Sequence, residues 1–229
     1  MENVHSITSF DELNRLVGTR KSMPFERYFG EMKISDEQKR KRMELADKLE
    51  DEFLYILSLL FYAYPTIPPS IADELRDRYE QVLYSQGIIG DTEIDDYIYT
   101  SGIYGDIRQR LRDHCEAFAF AAMAATMRHQ EDPYFYSEDR AKYMAEDQSN
   151  YVYDNVDFFD AVEEGMAFKT WETVGDERVR NSHAEVEGLT IPIDEPFVLE
   201  GGMLMVPHDD SLGCADTELV GCRCSVSYS

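Results

Sequence analysis

The fold of this chain is decided by residues 169–224, which read KTWETVGDERVRNSHAEVEGLTIPIDEPFVLEGGMLMVPHDDSLGCADTELVGCRC. This stretch contains the single tryptophan, three of the four cysteines and two of the five histidines of the chain. Glycine and proline divide it into short segments, whereas the chain before it follows helical periodicity over long distances. We therefore expect any function that the sequence reveals to lie in this stretch.

Short apolar segments bounded by turn residues predict strands in the C-terminal part of the chain. The predicted strands cover residues 168–174, 189–193, 202–206 and 222–228, and residues 176–186 are predicted to form a turn and a short helix. Trp171 and Phe197 are the expected core of this sheet. With helices before it, the chain has the pattern of an α+β fold: a mostly helical N-terminal part followed by a small antiparallel β-sheet module.

Four helices are predicted upstream. The first begins with a capping-box pattern, Ser35 to Gln38, and its apolar residues recur every three or four positions, which forms one apolar stripe. The predicted helices run from 36 to about 63, from a cap at Ser70 to Gly87, from 107 to about 129, and from a cap at Ser137 to about 164. Residues 1–33 are expected to be irregular, and residues 88–106 to hold one short helix. These patterns predict two domains, a helical region at 1–133 and an α+β module at 134–229.

The charge of the chain is strongly acidic, with 46 acidic and 22 basic residues and a net charge of −24. The last 79 residues carry 17 acidic and only four basic residues. Such a surface repels nucleic-acid phosphates and attracts basic proteins or cations. The basic run at residues 39–42 could make a local DNA contact, but its acidic neighbours favour a solvated helix face.

The cysteines are interpreted as thiols or metal ligands. The N-terminus has no signal-peptide pattern, and the longest apolar run, residues 53–64, is about half of a membrane span. We therefore expect a soluble protein that is made and kept in a reducing cytoplasm, with no membrane contact and no disulfide framework. His114 and Cys115 are interpreted as structural residues of a helix.

A metal site is one interpretation of the C-terminal cysteines. On a strand, Cys222 and Cys224 would point to the same face, and His183, His208 and Cys214 are the other soft ligands nearby. The candidate set His183, His208, Cys222 and Cys224 would suit zinc. Against it, the spacing differs from the CxxC pair of zinc ribbons, and thiols that fill a β core explain the pattern equally well.

Catalysis is an alternative interpretation of residues 176–183, which bring carboxylates, guanidinium groups and an imidazole together. His183 would act as a general acid or base beside Arg178 or Arg180. In the structural interpretation, which we favour, both arginines bridge acidic loops such as Asp209–Asp210, and His183 satisfies buried carbonyl groups.

Eleven residues carry a family resemblance through their order and spacing. They are Trp171, Asp176, Arg178, Arg180, His183, Gly188, Phe197, Pro207, Asp209, Cys222 and Cys224. This order resembles the C-terminal module of the phage head morphogenesis family, the minor head proteins typified by the F protein of phage Mu. The segment 28–32 with its following charged helix, and the helix after Ser137, are also similar to family members. Two departures are His208, where glycine is common, and the additional Cys214.

The resemblance implies a minor head protein that is not an enzyme and associates with the portal during procapsid assembly. Its implied partners are the portal protein and the major capsid or scaffold proteins, and its implied location is the virion, in the head interior or at the portal vertex. Two alternatives stay open. One is a small hydrolase or a nuclease-like or toxin-related enzyme that uses His183 with Arg178 or Arg180. The other is a binding module stabilised by a metal such as zinc.

Overall fold

The computed structural model describes residues 4–90 and 103–229, with side chains from residue 107 onward in the second range. Its α-helices are α1 (Phe10–Val17), α2 (Phe25–Gly30), α3 (Asp36–Ala63), α4 (Ser70–Ser85), α5 (Ile103–Arg128), α6 (Glu138–Glu163), α7 (Asn181–Glu185) and α8 (Asp216–Leu219). Its strands are β1 (Phe168–Glu172), β2 (Thr190–Pro192), β3 (Phe197–Leu199), β4 (Gly202–Leu204) and β5 (Ser225–Tyr228). Short 3₁₀ helices cover Val4–Ser6 and Pro133–Tyr136. The expected α+β fold, with helices first and a small antiparallel sheet at the end, is confirmed.

The chain forms two compact units, one of residues 1–23 with 45–145 and the other of residues 24–44 with 146–229. We call them the helical unit and the mixed unit. Each unit takes its chain from two separate parts of the sequence. The expected division after residue 133 stays a prediction.

The helical unit has an apolar and aromatic core. Phe53 of α3 contacts Tyr79 of α4 and Phe118 of α5, at ring-centroid distances of 5.6 and 5.2 Å. The predicted apolar stripe of α3 is buried as expected at positions 46, 49, 53, 56, 57 and 60. Cys115 is also fully buried on α5, in agreement with a structural role.

The mixed unit contains both sheets. Strand β1 lies between β2 and β5 and pairs antiparallel with each, with Thr170 opposite Thr190 and Trp171 opposite Val226. Strands β3 and β4 form a separate antiparallel hairpin, in which Phe197 lies opposite Leu204. The inner faces of both sheets close on one apolar core around Trp171.

Two of the three helix caps that the sequence predicted are present in the structure. The capping box is confirmed, since the Gln38 N–H donates to Ser35 Oγ at 3.2 Å and the Ser35 N–H donates to Gln38 Oε1 at 3.0 Å. Ser137 likewise accepts from the Arg140 N–H. Ser70, however, makes no cap: it is the first residue of α4 and follows Pro69 in the N-cap position.

The expectation of an irregular arm at residues 1–33 is wrong, because α1 and α2 lie there. Both helices are too short to show a sustained period, but Ser9 caps α1 and the chain buries Leu13 and Phe29 completely. The short helix expected at 88–106 falls largely on residues 91–102, which lie outside the described part. None of the described helices has a stretch long and apolar enough to cross a membrane.

Candidate functional site

A histidine and two cysteines meet in the core of the mixed unit. His183 lies on α7, and Cys222 and Cys224 directly precede β5. His183 Nδ1 is 3.3 Å from Cys224 Sγ and 3.5 Å from Cys222 Sγ, and all three ligand atoms lie within 4.8 Å of one another. The side chains are only 1–3% exposed. The structure therefore brings together three of the four residues of the candidate metal set.

A buried carboxylate orients the imidazole. His183 Nε2 is 3.0 Å from Glu218 Oε2, which also accepts from Ser182 Oγ at 2.8 Å. The Gly201 N–H donates to the other oxygen of Glu218. A Cβ at position 201 would lie 2.5 Å from Glu218 Cγ, so glycine is required for this approach. With Nε2–H donating to Glu218, the lone pair of Nδ1 faces the two sulfurs.

The two thiols of this cluster perturb each other. A hydrogen bond from the Cys224 thiol lowers the pKa of Cys222 well below its ordinary range, and donating this bond raises the pKa of Cys224. The Cys224 N–H also donates to Cys222 Sγ at 3.4 Å. Cys214 differs: it is buried in the same core, burial raises its pKa, and its sulfur is not part of the cluster.

His208 lies outside the cluster although the sequence grouped it with the metal ligands. Nδ1–H donates to Asp154 Oδ2 at 2.8 Å, and Nε2–H donates to the Cys222 carbonyl at 3.0 Å. Burial lowers the pKa of His208, but the Asp154 hydrogen bond and the charges of Cys222, Asp154 and Asp147 outweigh it and raise the pKa to about 9. A ring whose two nitrogens both donate has no lone pair for a metal.

The backbone at His208 explains the departure noted in the sequence. His208 has a φ of +65°, the left-handed conformation that glycine adopts without cost. A glycine is therefore the expected residue in this turn. The histidine gains two buried hydrogen bonds in exchange for the strain, and Pro207 precedes it in the same turn.

The Cys222–Cys224 segment is held by hydrogen bonds rather than by strand pairing, since β5 begins only at Ser225. The predicted strand at 222–228 is thus shorter than expected. Besides His208, Tyr28 Oη donates to the Cys222 carbonyl at 2.9 Å. Arg223, between the two cysteines, donates to Glu31 at 2.7 Å and to both oxygens of Asp176, at 2.9 and 2.7 Å.

The charged residues at 176–180 have other roles than expected. Asp176 pairs with Arg223. Burial raises the pKa of Asp176, but the hydrogen bonds from Arg223 and from the Arg178 N–H outweigh burial, so the pKa is lowered. Arg180 donates to the Val220 carbonyl. The carboxylate of Asp209 accepts from the N–H groups of Met205 and Ser211 within its own turn.

The guanidinium group of Arg180 thus contacts a backbone carbonyl, whereas the expected bridge from Arg178 to an acidic loop stays a prediction. The expected role of His183 is wrong. Its ring meets a carboxylate and two thiols, not buried carbonyl groups.

The apolar members of the motif form the core, as the sequence predicted. Trp171 is fully buried, and its ring centroid is 5.1 Å from that of Phe197. It also meets the edge of His183 at 5.4 Å. Gly188 has a φ of +70° and donates to the Trp171 carbonyl, which closes the turn before β2.

The basic run at residues 39–42 makes ion pairs within the mixed unit. Arg40 pairs with Glu44 at 3.0 Å and Lys41 with Glu37 at 3.3 Å, as expected for a solvated helix face. Arg42 is an exception, since it is 1% exposed. The run therefore offers fewer cations to a DNA backbone than its sequence suggested.

Sequence reasoning missed three residues that organise this site: Glu218, Asp154 and Tyr28. A carboxylate among 46 acidic residues carries no local signal of burial. Tyr28 belongs to a segment that resembled the family, but nothing in the sequence connects it with Cys222. The residues of the cluster could be identified because cysteine and histidine are rare in this chain.

Comparison with known protein families identifies the family of the chain. Residues 102–227 match the family described as Phage Mu protein F like protein, and this match covers more than half of the chain. No curated protein and no solved structure gives a significant match. The matched range begins at α5 and includes His183, Glu218 and both cysteines of the cluster. The chain belongs to the Phage Mu protein F like family, and is a phage head-related protein.

Proposed function

We propose that the chain is a minor head protein that acts in procapsid assembly at the portal and stays in the virion, in the head interior or at the portal vertex. The observation that carries this proposal is the family match over residues 102–227. The eleven residues that resemble the minor head proteins all lie within this range. In the structure they form the core and the turns of one small module.

We also propose that this role is not enzymatic. General acid–base catalysis requires a side chain that reaches a substrate, within hydrogen-bond distance or through one water. His183 is 1% exposed, and both of its ring nitrogens face protein atoms. Arg180 donates to a backbone carbonyl, which does not favour a hydrolase centred on His183.

The partner that fits the charge is a basic protein surface. The net charge of −24 attracts cationic faces and repels DNA phosphates. We therefore propose that the chain binds a basic face of the portal, the scaffold or the major capsid protein. Since exposed charges are screened by salt, this binding should weaken as ionic strength rises.

The first experiment is mass spectrometry of purified virions and empty procapsids of the phage that encodes the chain. We expect the chain in both kinds of particle, at a much lower copy number than the major capsid protein. Its absence from both would contradict the proposal. A deletion of the coding sequence, with complementation from a plasmid, serves as the control for assembly.

The second experiment identifies the partner. The purified chain is mixed with portal, scaffold and major capsid protein in turn, and complex formation is followed by analytical ultracentrifugation at low and high salt. We expect one salt-sensitive complex. Double-stranded DNA serves as the acidic control; if only DNA formed a complex, the proposed partner class would be wrong.

A further inference from the structure

We propose that His183, Cys222 and Cys224 bind one zinc ion in the core of the mixed unit. Zinc in proteins lies about 2.3 Å from thiolate sulfur and about 2.0–2.1 Å from imidazole nitrogen, in tetrahedral geometry. Tetrahedral ligands at these distances are themselves roughly 3.5–3.8 Å apart. The sulfur–nitrogen distances here, 3.3 and 3.5 Å, are close to that separation. An ion therefore fits between the ligand atoms with small side-chain shifts.

The surroundings of the imidazole match those of a metal ligand. Metal-bound histidines usually donate their second N–H to a carboxylate, which fixes the tautomer and makes the ligating nitrogen more basic. Glu218 supplies this carboxylate at 3.0 Å from Nε2. It is itself fixed by Ser182 and by the Gly201 N–H. Nδ1 is thereby left free to coordinate.

Two N–H groups lie beside the sulfurs. The Cys224 N–H already donates to Cys222 Sγ at 3.4 Å. The buried indole Nε1 of Trp171, beside Cys224, has no hydrogen-bond acceptor in the described part of the chain. A buried donor without an acceptor is costly, and a metal-bound thiolate would accept its hydrogen bond.

Charge and ligand type select zinc. On binding, the thiol protons of Cys222 and Cys224 leave to solvent, and the charges of the two thiolates balance the charge of Zn²⁺. The neutral centre is compatible with a core where the three side chains are at most 3% exposed. Tetrahedral sites of sulfur and nitrogen are typical of zinc, whereas harder cations prefer oxygen ligands.

Such an ion would connect α7 with the segment before β5. Both elements are short: α7 has five residues and β5 has four. Short elements bury little apolar surface, and small modules often add a metal to stabilise their fold. The inference concerns the stability of the module and does not depend on the proposed role at the portal.

The test is the metal content of protein purified without an affinity tag that binds metals. We expect about one zinc per chain for the unaltered protein, and loss of zinc in Cys222→Ser, Cys224→Ser and His183→Asn. Cys214→Ser is the matched control, because Cys214 is a buried cysteine of the same core outside the cluster. It should retain the full zinc content. Glu218→Gln should retain the ligands but bind zinc about 10–100-fold more weakly.

A second measurement keeps the test valid where a ligand variant fails to fold. Unaltered protein depleted of metal is titrated with Co²⁺, and thiolate-to-cobalt charge transfer with the visible bands of a tetrahedral ion is expected. Unaltered protein without zinc, with four free thiols and no cobalt spectrum, would overturn the proposal. So would a mass two hydrogens short from a Cys222–Cys224 disulfide, or a Cys214 variant that loses zinc as the ligand variants do.

Discussion

Arg42 of the mixed unit and Arg140 of the helical unit are both buried, and they are compensated in different ways. In the mixed unit, Arg42 donates to Asp154 at 2.9 Å and to Asp157 at 3.0 Å. In the helical unit, Arg140 donates to the Thr126 hydroxyl and to the carbonyls of Phe135 and Ala122. Arg42 is 1% and Arg140 is 5% exposed, so the two differ mainly in whether their acceptors are charged.

The charge of the acceptors determines the direction in which the pKa of each arginine is shifted. Burial alone lowers the pKa of Arg42, but the carboxylates of Asp157 and Asp154 outweigh it and raise the pKa. For Arg140, burial prevails and lowers the pKa to about 10. The mixed unit thus places Arg42 in a charge pair, and removing one member of such a pair leaves a buried charge with less compensation.

The largest effect is expected for Arg42→Ala. It leaves the carboxylate of Asp154, whose side chain is 3% exposed, with His208 as its remaining cationic partner. We expect the free energy of unfolding, measured by urea denaturation, to fall by about 3–5 kcal/mol.

The control for this change is Arg40→Ala, two positions earlier on α3, because Arg40 and its partner Glu44 are both exposed and water can replace the lost pair. Its cost should be at most about 1 kcal/mol. If Arg42→Ala cost no more than this control, paired charges would not distinguish the mixed unit.

The elements that were predictable from sequence are those with local signals. The capping box at Ser35, the stripe of α3 and the cap at Ser137 each involve residues three or four positions apart. The partition into units could not be predicted, because it depends on which distant segments pack together. The strand β3 was also missed, since its three residues are too few for a recognisable alternation.

A smaller effect is expected for Arg140→Met. The change removes hydrogen bonds from a charged donor, but the acceptors left behind are neutral, and the Ala122 carbonyl still accepts from Thr126 Oγ1 at 2.9 Å. The predicted loss is about 1–3 kcal/mol, checked in the same urea experiment. A double-mutant cycle with Thr126→Val measures how much of it belongs to the Thr126 contact. A loss as large as that of Arg42→Ala would refute the distinction between charged and neutral acceptors.

At the candidate site, the sequence identified the three residues of the cluster but not their surroundings. The sequence drew attention to His183, Cys222 and Cys224 because the chain contains only five histidines and four cysteines. His208 was grouped with them because a sequence shows neither the left-handed backbone at position 208 nor Asp154, which lies 54 residues away along the chain. Glu218 was missed since its burial follows from the close approach to Gly201, a purely tertiary feature.

Another buried cation, Lys169, extends the comparison, because it has neither a carboxylate nor a carbonyl acceptor. It is fully buried, and its Nζ has no hydrogen-bond partner in the described part of the chain. The ammonium group instead lies over the rings of Phe158 and Phe197, at 5.1 and 5.4 Å. Burial lowers the pKa of Lys169 from 10.5 to about 8.

The smallest effect is therefore expected for Lys169→Met, and its sign is opposite. Methionine keeps the apolar stem between the two rings and removes the cost of burying a charge. Part of this gain is offset by the lost contacts of the cation with the rings. We expect a gain of about 1–2 kcal/mol in the free energy of unfolding at neutral pH.

The pH dependence separates this explanation from simple repacking. Between pH 8 and 10.5 the unfolded chain binds a proton at Lys169 that the folded chain has released, so this residue makes stability rise with pH in that window. Below pH 8 both states are protonated and the full cost remains. The advantage of Lys169→Met should therefore shrink from pH 8 to 10.5, whereas Lys48→Met, at an exposed position, should show no such trend. A gain in the free energy of unfolding that stays constant from pH 8 to 10.5 would contradict this explanation. It would mean that the aromatic rings stabilise the ammonium group of Lys169 as well as carboxylates stabilise the guanidinium group of Arg42.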